Sequence, residues 1–243
     1  IPNSYKRSNL PVQANTKMID VIRTTSKIPK KIYKIYNQKR QFFPLKAYDK
    51  HSRFLVSLTR ETYEESFAIM YSCTRSNKLR DFQYRLLHMT LTTNKEAFHY
   101  FNVVPNDRCT FCKACQENIH HIILYCKFSK VIWVRLQAYF YQTTGIHLAL
   151  SDQDIMFGNN LLPFSKLYNH IIIFTKHYIY ACRCLSELPD FNALLRKIKL
   201  EYHIEVKMSF NGVDHNELLK KWEPLFPPLY RFVAASIFTI PIF

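Results

Sequence analysis

The sequence predicts a mainly α-helical fold with a small Cys-Cys-His-Cys knuckle and a basic N-terminal lead-in. Glycine occurs only three times in 243 residues, which disfavours tight hairpins and glycine-rich phosphate loops. Apolar residues recur at helical spacing from residue 59 onwards. Four of the seven cysteines and two adjacent histidines fall within residues 109–126, where a small loop requires some other source of stability.

The positive charge is concentrated in the first quarter of the chain. The formal net charge is +16, and residues 1–60 hold 14 basic and 2 acidic side chains. A solvated basic face is one interpretation, but an excess of this size, interleaved with Tyr and Phe, better fits an arm lying on phosphates. The expected partner is therefore a polyanion, with nucleic acid favoured over an anionic membrane surface.

Composition divides the chain into three parts. The expected parts are a basic lead-in or linker at 1–58, a helical domain at 59–226 containing the knuckle at 109–126, and an apolar tail at 227–243. Short helical pieces are expected in the lead-in, for instance around Lys31–Arg40. The chain opens with Ile, which suggests a segment of a longer polypeptide.

No segment has the pattern of a membrane anchor or a signal peptide. The longest uncharged apolar run, Phe232–Phe243, has twelve residues and contains Pro241, which is too short for a spanning helix. The first thirty residues carry dispersed charges and no apolar core. We therefore expect no membrane partner and a reducing, intracellular environment.

Three helices are predicted before the knuckle. Thr59 is the N-cap of the first, which runs to about Ser72. The second spans roughly 78–90 and is amphipathic and basic, and the third spans about Asn94–Phe101. Each of the first two has an apolar stripe on one face: Tyr63, Phe67, Met70 and Tyr71 in the first, and Leu79, Phe82, Leu86 and Leu87 in the second. Val104-Pro105-Asn106 then ends the third helix, so that the knuckle begins in a loop.

Four helices are predicted after the knuckle. The first starts beyond Cys126 and ends before Gly145, and the second is capped by Ser151 with Asp154 and closed by Gly158. Residues 167–186 are apolar on nearly every side, which predicts a central helix. Pro189 ends it and Asp190 caps its successor, whose buried stripe is Phe191, Leu194, Leu195 and Ile198.

The cysteine spacing predicts a structural zinc site. Cys109 and Cys112 are separated by two residues, whereas His121 and Cys126 lie about one helical turn apart, so all four can face one ion. Thiolates with one imidazole favour Zn²⁺, and four protein ligands leave no open position for water. From spacing alone, Cys115 can replace Cys112 and His120 can replace His121.

Other uses of the cluster are less consistent with the sequence. An odd number of cysteines argues against a disulfide framework. A catalytic zinc needs a general base, and the deaminase pattern of His-x-Glu with Pro-Cys-x-x-Cys is missing, since Glu117 alone is not enough. A metal-dependent nuclease built on His120 and His121 would also need an open coordination position. Three thiolates and one Zn²⁺ give the site a net charge of −1. The neighbouring cations Arg108, Lys113 and Lys127 would offset this negative charge.

The stretches around the cysteines resemble the C-terminal region of reverse transcriptases from LINE-type non-LTR retrotransposons. The residues concerned are FQYRLLHMTLTTNKEAF, CTFC, and ENIHHIILYC with Trp133 after it. The family pattern has an aromatic-Gln-x-Arg helix, a Thr-Asn turn and a zinc knuckle in which an acidic residue and then a histidine precede the last cysteine. Weaker similarity continues through DIMFGN, IIIFTKHYIYACRC and LLKKWEPL, and covers about residues 62–225.

On this resemblance, the four ligand positions of the family fall on Cys109, Cys112, His121 and Cys126. The threonine that usually follows the acidic residue is Asn118 here, and residues 227–243 have no counterpart in the family pattern. The polymerase of the family needs a Tyr-x-Asp-Asp motif, and this chain contains no Asp-Asp pair, so we do not expect it to be an enzyme on its own.

The resemblance implies a parent protein that copies its own RNA at a nicked chromosomal site, and hence a cytoplasmic ribonucleoprotein that also enters the nucleus. This segment would position template RNA or target DNA, with RNA preferred. The candidate phosphate contacts are Arg23, Lys27, Lys30, Lys31 and Lys34 in the lead-in and Lys78, Arg80, Arg85, Lys95 and Arg108 in the helical domain. Tyr33 and Tyr36 are either base-stacking or core residues. The alternative is a scaffold that docks on the polymerase core and contacts no nucleic acid.

Overall fold

The computed structural model describes residues 45–208 and 215–227. Within these residues the fold is mainly helical, with one isolated β-bridge between Arg108 and Gln116 and no longer strand. The α-helices are α1 Leu45–Ser52, α2 Arg60–Cys73, α3 Asn77–Leu87, α4 Asn94–His99, α5 Lys127–Thr144, α6 Asp152–Phe157, α7 Ser165–Leu185, α8 Phe191–Met208 and α9 His215–Trp222. A π-helical turn, His121–Tyr125, lies between α4 and α5.

Helix α7 is the centre of the fold, as its continuous apolar character predicts. It contacts α2, α3, α8, α9 and the π-helical turn. Ile171, Ile172 and Ile179 on this helix are fully buried. Its one deeply buried cation, Lys176, donates to the backbone carbonyl of Met156 at 2.8 Å, and the side-chain amide of Gln83 donates to the same oxygen at 3.0 Å. These two bonds attach the end of α6 to the centre of the core.

The predicted helix ends are confirmed where the signal is local. The hydroxyl of Thr59 accepts from the backbone N–H of Thr62 at 3.1 Å, and Ser151 forms a capping box with Asp154. Gly145 follows the last residue of α5 with φ of +70°. A carboxylate oxygen of Asp190 accepts from the N–H of Ala193 at 2.7 Å and so caps α8.

Helix α3 ends earlier than its apolar pattern predicts. It stops at Leu87 rather than near residue 90, and Met89 takes a left-handed conformation with φ of +54°. The carbonyl of Leu87 is then free of the helix ladder. It accepts from the hydroxyl of Tyr63 at 2.6 Å, and His51 contacts it at 3.3 Å, so tertiary hydrogen bonds take the place of the lost turn.

Helix α1 lies in the stretch that the composition assigned to the lead-in, yet it packs on the helical body. His51 is fully buried, and its ring contacts those of Tyr63 and Phe157. The helix expected around Lys31–Arg40 lies outside the described residues, as does all of the apolar tail beyond Pro227. No helix among residues 45–208 and 215–227 is both long and apolar enough to cross a bilayer.

Gly158 provides a test of how tightly α6 docks on α7. Its φ is +84°, and an added Cβ would lie 2.8 Å from Oδ1 of Asn169 and 3.0 Å from Ile69. The same Asn169 oxygen accepts from the backbone N–H of Asn159 at 3.0 Å and therefore cannot move away without cost. We expect Gly158→Ala to lower the free energy of unfolding by about 3 kcal/mol, measured by urea denaturation.

Gly145→Ala is the matched control. Gly145 also has a positive φ, but an added Cβ would meet nothing within 4 Å. The free energy of unfolding of the control should fall by only about 1 kcal/mol, which is the cost of a non-glycine residue in a left-handed conformation. Equal losses in the two variants would show that the contact with Asn169 does not constrain the packing of α6.

Candidate metal centre

The knuckle is a loop whose two ends are joined by backbone hydrogen bonds. The N–H of Cys109 donates to the carbonyl of Cys115 at 2.8 Å, and that of Glu117 donates to Asp107 at 2.8 Å. Lys113 takes a left-handed conformation with φ of +59°, which turns the chain directly after Cys112. The two cysteines of the Cys-x-x-Cys pair are thereby held in one tight turn.

Four side chains converge at this turn, as the spacing predicts. The sulfurs of Cys109 and Cys126 are 3.9 Å apart, and the sulfur of Cys112 is 3.4 Å from Nε2 of His121. All four ligand atoms lie within 4.8 Å of one another. A tetrahedral zinc ion separates two sulfurs by about 3.8 Å and a sulfur from a nitrogen by about 3.5 Å. The donor set and its spacing therefore fit Zn²⁺.

The second pair of ligands is aligned by the π-helical turn. The N–H of Cys126 donates to the carbonyl of His121 at 2.7 Å, which is an i to i+5 bond. Five residues of a regular α-helix would place these two side chains on different faces. The wider π turn brings them back to one side. The sequence predicts one turn of ordinary helix between these two ligands, and the π turn explains how a spacing of five serves one ion.

The thiols lie where backbone N–H groups favour their charged forms. Desolvation raises the pKa of Cys112, but the N–H groups of Cys115 and Ala114 outweigh it and the net pKa is lowered. The pKa of Cys126 is lowered, first by the hydrogen bond from Cys109. That same bond and burial raise the pKa of Cys109 to about 12. The thiol of Cys109 donates to the sulfur of Cys126, and a bound ion would replace that hydrogen.

The two alternative ligands lie away from the site. Cys115 is exposed. The ring of His120 points into the core, where Nε2 lies 2.9 Å from Nδ1 of His51 and the ring stacks on Phe54 with centroids 4.3 Å apart. Burial and the charge of a protonated His51 lower the pKa of His120 to about 3. His120 is therefore a neutral core residue at neutral pH, and His121 is the imidazole of the cluster.

Glu117 connects the knuckle to the rest of the fold. Its carboxylate is fully buried and accepts from the backbone N–H groups of Thr110 at 2.6 Å and Asn94 at 2.8 Å. The same group receives Nε of Arg183, on α7, at 2.9 Å. The backbone carbonyl of Glu117 also accepts from the hydroxyl of Thr93. The Thr-Asn turn and the acidic residue of the motif are thus parts of one hydrogen-bonded unit.

Sequence reasoning identified Glu117 only as an isolated acid and missed Arg183. The guanidinium of Arg183 also donates to Oδ1 of Asn94 at 2.7 Å, so it completes the unit from a position 66 residues away from Glu117. The available signal was that Arg183 is a charged residue near the end of a mostly apolar helix. An unpaired charge is rarely retained in such a position.

The candidate phosphate contacts are placed unevenly. Lys78, Arg85 and Arg108 are exposed and Lys95 is half-buried. Arg80 donates to the carbonyls of Thr74 at 2.8 Å and Tyr71 at 3.0 Å, so its guanidinium caps α2. Arg108 donates to the carbonyl of Ala114 within the knuckle. Tyr33 and Tyr36 lie outside the described residues. The same holds for the five candidates in the lead-in, which are Arg23, Lys27, Lys30, Lys31 and Lys34.

The two nearby cysteines allow a direct test of the ligand set. We expect Cys112→Ser to lose the bound zinc measured by elemental analysis, because the site then has only three ligands. Structural zinc contributes about 10 kcal/mol or more in small zinc-binding peptides, so the melting temperature should also fall. Cys115→Ser is the matched control and should keep one zinc per chain. If only Cys115→Ser lost its zinc, the ligand would be Cys115 and not Cys112.

A second test concerns the buried ion pair. Arg183→Met leaves the Glu117 carboxylate buried with only backbone donors, and we expect a loss of about 3 kcal/mol in the free energy of unfolding. Arg60→Met is the comparison, since the Arg60–Glu64 pair is more than half exposed and should contribute less than about 1 kcal/mol. Urea denaturation of the zinc-loaded proteins measures both. Similar small losses would mean that Arg183 does not hold the knuckle in place.

The geometry agrees with a comparison against known families. Residues 48–133 match the family model described as zinc-binding in reverse transcriptase. The match starts in α1 and ends at Trp133, whose indole N–H donates to the carbonyl of Ile123 in the π-helical turn at 2.8 Å. No curated protein and no solved structure matches the chain significantly. Residues 48–133, with their Cys109, Cys112, His121 and Cys126 cluster, therefore correspond to a zinc-binding region associated with reverse transcriptases.

Proposed function

We propose that the chain is a zinc-stabilised, nucleic-acid-binding segment from the C-terminal part of a LINE-type non-LTR retrotransposon reverse transcriptase. Its role is to position template RNA or target DNA during target-primed reverse transcription, with RNA the preferred ligand. The observation that carries the proposal is the Cys₃His cluster inside a segment that matches the zinc-binding region of reverse transcriptases. In this proposal the segment binds and positions nucleic acid, and the rest of the parent protein performs the polymerisation.

The site supports a structural role for zinc. Four protein ligands fill a tetrahedral shell, which leaves no position for a substrate or an activated water. The ion would hold the Cys-x-x-Cys turn against the π-helical turn, and Glu117 with Arg183 would fix both to α7. The surface beside the knuckle would then present Lys95 and Arg108 in a constant orientation.

Charge supports a polyanionic partner. The chain carries 34 Lys and Arg residues against 18 Asp and Glu. On the helical body, exposed Lys78 and Arg85 lie on α3, and Arg108 flanks the first zinc ligand. Together with the basic lead-in, these residues offer an extended set of phosphate contacts, which gives affinity without base specificity. Assembly of the parent protein on its RNA would make a cytoplasmic ribonucleoprotein, and target DNA would bring it to the nucleus.

A docking scaffold is the second candidate, and one surface feature favours it. The loop after α4 exposes three apolar side chains, with Tyr100 78%, Phe101 62% and Val103 72% accessible. A cluster of this kind is typical of protein–protein contact. In this alternative the loop docks on the polymerase core and the basic surface contacts no nucleic acid.

Salt dependence distinguishes a phosphate-binding segment from a scaffold. For single-stranded RNA, log K should fall with log salt by ~0.7 per phosphate contacted, so that six contacts lower the affinity roughly 300-fold between about 50 and 200 mM salt. Filter binding of the full chain to single-stranded RNA and to DNA at several salt concentrations measures this slope. A slope near zero, or equal binding to neutral polymers, would refute phosphate binding by this segment.

Paired charge reversals locate the contacts. Lys30→Glu with Lys31→Glu should reduce the salt slope by at least about 1.4 if each lysine contacts one phosphate. The matched control is Lys46→Glu with Lys50→Glu, which makes the same change of charge on exposed positions of α1. Unchanged RNA binding in the first pair would favour the docking scaffold.

A further inference from the structure

A second cluster of potential metal ligands lies near the start of α7, whereas Arg183, which joins α7 to the knuckle, lies near its end. His170 belongs to α7, and Glu201 and Glu205 lie one turn apart on α8, so that both carboxylates point to the same side. One ligand atom from each of the three side chains lies within 4.8 Å of the other two. This cluster shares no residue with the zinc knuckle.

Two atoms of this cluster are buried and have no hydrogen-bond partner among the described residues. They are Nε2 of His170, whose side chain is fully buried, and Oε1 of Glu205, whose side chain is 7% exposed. Nε2 of His170 lies 3.6 Å from Oε1 of Glu201, which is too long for a hydrogen bond. It is close to the ~3.4 Å that separates two nitrogen or oxygen ligands of one zinc ion.

Lys221 is the cation already present in this cluster. Its ammonium contacts Nδ1 of His170 and donates to Oε2 of Glu205 at 2.8 Å, so it binds the atoms opposite to the two unpartnered ones. The indole of Trp222 also donates to Oε2 of Glu205, at 2.7 Å. The same ammonium acts on Glu201 through its charge, as Lys78 does from α3, and Arg75 lines the adjoining cavity. Because Nδ1 of His170 accepts from the ammonium, Nε2 of the neutral ring carries the hydrogen, which a bound ion would displace. This nitrogen faces Glu201.

A cavity gives access to that side. Its volume is about 410 Å³, and it lies between the start of α3, at Ser76 and Asn77, and the carboxylates of Glu201 and Glu205. Glu201 is the least buried of the three side chains, with 17% of its surface exposed, and it marks the entrance. An ion can enter from this cavity, and water can complete its coordination there.

We propose that His170, Glu201 and Glu205 form a second divalent-cation site, in which the ion competes with the ammonium of Lys221 for the two carboxylates. One imidazole and two carboxylates, with no thiolate, suit borderline ions such as Zn²⁺ and hard ions such as Mn²⁺. Mn²⁺ would bind here more readily than at the thiolate-rich knuckle. With three protein ligands the site keeps an open position towards the cavity, unlike the closed knuckle.

Metal stoichiometry of the full chain tests the proposal. The metal-stripped protein is titrated with Zn²⁺, and bound metal is counted after desalting; two equivalents are expected. Glu201→Gln is the decisive variant and should bind one equivalent, because it removes a ligand whose carboxylate makes no hydrogen bond among the described residues. Glu187→Gln, an exposed carboxylate beside the same helix pair, is the matched control and should bind two.

Cobalt spectra separate the two sites, since only the knuckle gives thiolate-to-cobalt charge transfer. Glu201→Gln should leave those bands unchanged and remove the second, thiolate-free equivalent. Lys221→Met removes the competing cation and should tighten the second equivalent at least about tenfold, measured against a competing chelator. The proposal is overturned if the wild-type chain binds one equivalent, if Glu201→Gln still binds two, or if Lys221→Met binds the second ion no more tightly.

Discussion

The meeting of four ligands at the knuckle is the constraint on which the proposed function depends. Two of these ligands come from the Cys-x-x-Cys turn, and two come from the π-helical turn and the residue after it, which pack on α5 and α7. A shared ion would give the two halves a fixed separation. The surface on either side then keeps its shape when it meets a charged partner, because little conformational freedom remains to be lost on binding.

The knuckle would be an isolated module without the buried carboxylate of Glu117. That group gathers donors from the loop, from the start of α4 and from α7, and a fully buried charge is tolerated here because each of its oxygens is hydrogen-bonded. Metal coordination and core packing are therefore coupled. A change on α7 that never approaches the cysteines can still alter the geometry of the metal ligands.

Features encoded locally could be predicted from the sequence, and features created by distant contacts could not. The cap at Thr59 and the helix end at Gly145 depend on a few neighbouring residues, and the zinc ligands have a recognisable spacing. The pairing of Arg183 with Glu117 depends on the packing of α7, and spacing alone left open whether His120 or His121 was the ligand. Arg80 appeared to be a surface cation, whereas the structure shows it capping α2. Helix α1 was missed because its basic composition outweighed one buried face.

The π-helical turn also restricts how this region can change during evolution. Its i to i+5 bond inserts one extra residue into a single helical turn, between one metal ligand and the next. Removing or adding a residue there would rotate everything that follows by about 100°, and the start of α5 would turn its apolar face away from the core. Loops elsewhere on the surface tolerate changes in length, but the number of residues in this segment is fixed by the geometry of the metal ligands and of α5. Insertions and deletions in this segment should therefore be eliminated.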